Sequence, residues 1–191
     1  MTAAASARMS VDDWALLTED VEGELVDGGL QEAEVPSLVH ECVVRCLLLL
    51  LAPYFESLGG QVFGSGVKLG IRANRGRMAD LVCFGPGKRP EPRGAVSVPP
   101  DIVVEVISPT AEDERRDRIE KPDDYAAFGV RHYWLVDPDL RSFEVWELDA
   151  NRHYVRVCAV TSGRVDQVPG CEGLVVDIDA LWAQVDRLLI T

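Results

Sequence analysis

Glu105 stands inside Ile102-Val103-Val104-Glu105-Val106-Ile107, a run whose other members are all apolar and β-branched. Such a run reads as a strand covered on both faces. Side chains alternate along a strand, so either orientation buries the carboxylate. An isolated ionised carboxylate is prohibitively costly there, and it needs a cation side chain, a metal, or a cleft open to water at the strand end. Asp101 and Val103 share the face of Glu105 by the period of two, and Asp80, in the short apolar segment Ala79 to Phe84, reaches the same region if its strand lies alongside. Converging carboxylates repel one another unless a cation sits among them, and ligands of oxygen alone suit Mg²⁺ or Mn²⁺ rather than zinc. A bound divalent ion lowers the pKa of its water and clamps a phosphoryl oxygen.

Lys121, on the helix after the Glu105 strand, is placed to supply a positive charge that positions the water or stabilises the transition state. The plainer alternative is a buried ion pair from Glu105 to Lys121 or to an arginine, holding helix to sheet. Asp117, four residues before Lys121, offers an ordinary helix-surface pair as well. His40, beside Glu41 early on a long helix, reads on its own as a cap or surface residue. Ser65 lies between glycines without a G-x-S-x-G frame, and Gly64-x-Gly66 has no lysine at P-loop spacing.

The positioning elements follow from local signals. Ser10 caps a short helix from Val11 to Leu17, with Asp12 and Asp13 in its first turn. Glu24 to Leu30 alternates around Asp27-Gly28 as a hairpin. Pro36 suits a helix first turn, and Ser37 to Ser57 keeps helical apolar spacing up to Gly59-Gly60. Gln61 to Phe63 and Val67 to Ile71 read as a two-stranded element around Gly64-Ser65-Gly66. Gly85 to Pro100 is a loop. Thr110-x-x-Asp113 opens a helix that runs to Phe128 with Gly129 as its cap. Pro122 removes a donor inside it, so a kink or split is expected near Lys121. His132 to Val136, Ser142 to Leu148 and His153 to Val157 form a meander, and Asp179 to Ile190 is an amphipathic helix.

The chain has 191 residues with 19 Lys+Arg and 32 Asp+Glu, a formal charge of −13. Length and composition suit a single globular domain, 1–191, with the helix and hairpin at about 10–30 as an appendage. The apolar run Cys42 to Phe55 is broken by Arg45 and falls short of the ~20 residues that cross a bilayer. Met1 to Met9 has no signal-peptide pattern. Five scattered cysteines without C-x-x-C spacing suit reduced thiols in a cytoplasmic protein. Met1 to Glu41 carries ten acids and one base, whereas Lys68 to Arg93 carries seven bases and two acids. The bulk charge argues against unselective nucleic-acid binding. The basic segment is either a solvated loop or, if it lines a groove, a guide for a phosphate polyanion, with Arg72, Arg75 and Arg77 as its contacts.

Asp80, Glu105 25 positions later in a β-branched strand, and a lysine on the next helix resemble the PD-(D/E)XK nuclease superfamily. More narrowly, the chain is similar to the bacterial Uma-two family of restriction-endonuclease-like proteins. The succession is Glu24-Leu25-Val26-Asp27-Gly28, His40, Arg77-Met78-Ala79-Asp80, Pro100 through Pro109, Asp117, Lys121, Tyr125, Gly129-Val130 and Tyr133 through Pro138. The resemblance implies an α/β (α+β) fold with a restriction-endonuclease-like core, a mixed central sheet flanked by helices. It implies Asp80 and Glu105 as ligands of Mg²⁺ or Mn²⁺, the Val106 carbonyl as a further ligand, and Lys121 as a catalytic lysine relocated from the position of Ile107. Glu24 and His40 fall at family-typical positions near the site. The implied activity is metal-dependent hydrolysis of DNA; the competing class is a nuclease-fold interaction module without activity. Related folds often act as dimers in which two sites reach two strands, so a homodimer is compatible with the resemblance. Ala79 replaces the family's proline, and Pro122 follows the lysine directly.

Overall fold

The structure is a computed structural model that describes residues 8–18, 21, 23–32 and 35–189. Its elements are α1 (Val11–Ala15), β1 (Glu24–Val26), β2 (Gly29–Gln31), α2 (Leu38–Ser57), β3 (Gln61–Phe63), β4 (Lys68–Arg72), β5 (Arg75–Met78), β6 (Leu81–Phe84) and β7 (Ile102–Val106). There follow α3 (Ala111–Arg115), a π-helical turn (Arg116–Glu120), α4 (Lys121–Phe128), β8 (His132–Asp137), β9 (Ser142–Leu148), β10 (Tyr154–Val160), β11 (Arg164–Val165), β12 (Val176–Asp177) and α5 (Ile178–Leu189). Residues 1–7, on which the reading of no leader largely rests, and Ile190 lie outside the described residues.

The β-branched run lies where its composition demands. β7 is buried along its whole length, inside a six-stranded sheet of order β10-β9-β8-β7-β6-β3. It pairs in parallel with β8 and antiparallel with β6, so the sheet is mixed. Ile102, Val104 and Val106 face a core built with Val43, Leu47, Leu51 and Phe55 of α2 and Leu181 and Trp182 of α5. Val103 faces the other way, into a second core with Tyr125, Tyr133 and Leu135. A parallel pair needs a crossover, here the helical stretch between β7 and β8, and that stretch roofs the face carrying Glu105.

α2 spans 20 residues and is long and apolar enough to cross a membrane by length and composition alone. That corrects the expectation that the run is too short. Its buried residues spend that hydrophobicity on the sheet. All five cysteines are free, and Cys42, Cys83 and Cys171 are buried.

Two other expectations need correction. β3 and β4 do not pair: β3 joins β6 in the large sheet, while β4 joins β5 in a four-stranded sheet of order β2-β1-β5-β4. The glycine-rich turn between them is a bend from one sheet to the other. The helix and hairpin near the N-terminus are no appendage either, because β1 pairs with β5 and Trp14 is fully buried. The indole lies on Gly76, where a Cβ would come within 2.2 Å of the ring, so only glycine fits. The β1–β2 turn has φ 50° at Asp27 and 80° at Gly28, the two positive values that a tight hairpin of Asp-Gly type requires.

His132 opens β8 with its side chain buried, and burial, the largest influence, pulls its pKa down despite the nearby Glu147. The unfolded chain therefore takes up a proton near pH ~6.5 that the folded chain refuses. This contribution to stability is present above that pH and is lost as pH falls toward the folded pKa. We expect the thermal midpoint of wild type to drop more steeply than that of His132→Gln between pH 7 and 5.5; parallel curves would refute the assignment.

Candidate active site

Asp80 precedes β6, and the β6–β7 register, which sets Leu81 opposite Val104, brings it opposite Glu105 when extended one step. Opposed residues of an antiparallel pair point to the same side. Asp80 Oδ2 accepts the Val106 N–H at 2.7 Å and faces His40 Nε2 at 3.2 Å. No hydrogen bond to Oδ1 occurs among the described residues. His40 is delivered by α2, whose N-cap Ser37 accepts the His40 N–H through its hydroxyl. Burial works to lower the imidazole pKa, but Asp80 and Glu41 outweigh it and the net direction is upward.

Glu105 is 2% exposed. Its Oε1 accepts the Tyr125 hydroxyl at 2.5 Å, and its Oε2 lies 3.0 Å from Lys121 Nζ. Lys121 reaches Asp117 Oδ1 at 2.8 Å as well. The helical crossover makes this convergence possible. At Lys121 the backbone N–H bonds back to Arg116, an i to i−5 step, immediately before Pro122, which has no N–H to give. The π-helical turn is thus the expected split near Lys121, and Pro122 sits harmlessly in the first turn of α4. Asp117, Lys121 and Tyr125 stand at intervals of four and all meet at Glu105 or its ion-pair partner.

Electrostatically the cluster has more acid than base. Burial and the charges of Asp80, Asp117 and Glu24 push Glu105 well above the usual carboxylate range, against the pull of Lys121. Burial works against the Lys121 ammonium, yet the surrounding acids, Glu105 first, hold it charged. The cluster lines a cleft of about 530 Å³ that also takes in Glu24, His40, Ser65, Lys68, Ser108 and Arg116.

Among the described residues no group of three or more His, Cys, Asp or Glu side chains is arranged to hold a metal ion. Mg²⁺, however, keeps much of its water and is held by one or two carboxylates together with substrate phosphate. Asp80, with Oδ1 unengaged, and Glu105, in a surplus of negative charge, have the chemistry of such a pair. Engaging Glu105 with a metal would require loosening its hold on Lys121.

Other expected site residues fall elsewhere. Asp101 shares the face of Glu105, but four residues along a strand separate them by about 13 Å. It binds the Gly85 N–H and Lys88 instead, and so it anchors a loop. Arg77 is fully buried, with Glu24 at 2.6 Å and Asp124 at 2.7 Å, so it is no contact for DNA. Arg75 is largely buried on Asp124, and only Arg72 of the three is well exposed. Glu24 is therefore a support: the β1–β5 register puts it opposite Arg77, and it also accepts the Met78 N–H two residues before Asp80. Burial raises the Glu24 pKa, but Lys121 and Arg77 bring the net below its ordinary value. Tyr125 as the partner of Glu105 was not assigned from sequence; its signal is the four-residue spacing from Lys121.

The mixed sheet and its helical crossover have the architecture of a restriction-endonuclease-like core. The chain belongs to the Uma2 family, described as "Putative restriction endonuclease", whose model matches residues 10–179. No curated protein matches it significantly. The fold is similar to the crystal structure of a "putative nuclease belonging to DUF820" from Anabaena variabilis, with TM-score 0.70 and 16% identity over 93% of this chain and 99% of that one.

Proposed function

We propose that the protein is an endonuclease that hydrolyses DNA phosphodiester bonds with the help of Mg²⁺ or Mn²⁺. The observation that carries this reading is the placement of Asp80, just before β6, and Glu105, on the neighbouring β7, facing one cleft, with the ammonium of Lys121 3.0 Å from Glu105. Asp80 and Glu105 would hold the metal, with the Val106 carbonyl as a further ligand. When bound, such an ion lowers the pKa of water and neutralises charge on a phosphoryl oxygen. The chain's own contribution is preorganisation. The Val106 N–H and His40 fix the Asp80 carboxylate, the Tyr125 hydroxyl fixes Glu105, and Lys121, steadied by Asp117, places positive charge where a phosphoryl group gains negative charge.

The test is calorimetric titration of Mn²⁺ and Mg²⁺ into wild type and Glu105→Gln. Heat of binding in wild type that vanishes in the variant is expected, together with plasmid cleavage that stops on chelation. A second reading, a non-catalytic interaction module, is favoured by one observation: both oxygens of Glu105 are already engaged, by Tyr125 and Lys121. Absence of metal binding, with an unchanged or higher melting temperature in Glu105→Gln, would decide for that module.

A further inference from the structure

The other arginines with little exposed side chain are heavily neutralised. Arg77 meets Glu24, Asp124 and Glu120, and Arg118 meets Glu114, Asp137 and Glu144. Arg116 differs. Its side chain is only 13% exposed, yet among the described residues its single acidic partner is Asp113, at 3.0 Å from one terminal nitrogen. Like one nitrogen each of Arg77 and Arg118, its Nε is buried without a hydrogen-bond partner; what sets Arg116 apart is the single carboxylate, and no hydrogen bond from its other terminal nitrogen occurs among the described residues. A guanidinium paired with a single carboxylate keeps terminal N–H donors and an attraction for a second anion.

Arg116 lines the same cleft as Asp80, Glu105 and Lys121. The other cleft cations are committed: Lys121 lies between Glu105 and Asp117, and Lys68 Nζ donates to the carbonyls of Trp14 and Leu17. Asp113 is itself locked, since the Thr110 hydroxyl donates to it and the Asp113 N–H returns to that hydroxyl. The result is a planar fork clamped at one corner, in the first residue of the π-helical turn that also carries Asp117. Arginine forks bind phosphate oxygens in pairs, which a single ammonium cannot do.

We propose that Arg116 is a substrate-binding residue that grips a backbone phosphate of the nucleic-acid strand in the cleft. This rests on the nuclease reading above and adds to it the residue that holds the strand against an otherwise acidic wall. It also relocates the polyanion contact from Arg75 and Arg77, which are spent inside the protein, to the crossover helix.

The test uses the Glu105→Gln protein, so that the strand stays intact, and a fluorescently labelled DNA oligonucleotide followed by anisotropy over a range of salt. Adding Arg116→Met is expected to weaken binding about tenfold and to reduce the slope of log affinity against log salt by about one. Arg116→Lys, which keeps the charge and can keep the Asp113 pair, is expected to retain the slope and lose about threefold in affinity. Arg115→Met is the control, since Arg115 is 63% exposed and pairs with Glu120 outside the cleft; it should change neither. If Arg116→Met fails to fold, Arg116→Lys decides, and unchanged affinity there overturns the proposal. Binding by the parent that ignores both Arg116 variants overturns it alone, whereas a parent that binds no DNA overturns the nuclease reading with it.

Discussion

Glu105→Gln is expected to reduce DNA cleavage by about 1,000-fold or more, equivalent to roughly 4 kcal/mol of transition-state stabilisation, while the protein stays folded. The amide has nearly the shape of the carboxylate, and its oxygen can still accept the Tyr125 hydroxyl that now reaches Oε1 at 2.5 Å. Its NH₂ would face the Lys121 ammonium in place of Oε2, donor against donor, but Lys121 keeps Asp117 at 2.8 Å. The variant also relieves a carboxylate that burial and neighbouring acids push up, so its stability should change little. Asp80→Asn should behave alike, because its side-chain oxygen can still take the Val106 N–H. Plasmid nicking in Mg²⁺ and in Mn²⁺, with thermal melting beside it, checks both. Cleavage at the wild-type rate in either variant would end the catalytic assignment.

The largest stability effect is expected at Arg77. Arg77→Met should cost about 3–5 kcal/mol, the usual penalty for breaking a buried ion pair from one side. Three acids, Glu24, Asp124 and Glu120, lie within 4.0 Å of a guanidinium with no solvent exposure, and the variant leaves them facing one another. Arg77→Lys should recover only part of the loss, since one ammonium cannot serve Glu24 and Asp124 in the geometry of the fork. Arg72→Met, at a side chain 57% exposed, should shift stability by no more than about 0.5 kcal/mol. Urea unfolding of the three variants measures this, and an Arg77→Met midpoint near wild type would refute the burial argument.

The central strand was legible from its own composition. A run of β-branched residues with one acid has few places to go, and the register of β6 on β7 then brings Asp80 to Glu105. The crossover helix was legible from Thr110, Pro122 and Gly129, although the π-helical form of its split was not, because that depends on where the backbone finds donors. Asp101 misled because alternation reports the face of a strand and says nothing of distance along it. Arg75 and Arg77 misled because a local excess of basic residues does not reveal partners about fifty positions away, such as Glu24 and Asp124. The turn at Gly64-Ser65-Gly66 looks like a hairpin for the same reason: which strand pairs with which is decided by long-range packing, not by the turn.

The cluster around Glu105 is drawn from Glu24, His40, Asp80, the Asp117–Tyr125 stretch and Glu105 itself, segments spread over half the chain. Most of its contacts close long loops, and such contacts become favourable only after the closure entropy has been overcome elsewhere. The cleft should therefore be among the last features to form during folding, and no excised hairpin or helix pair would retain it.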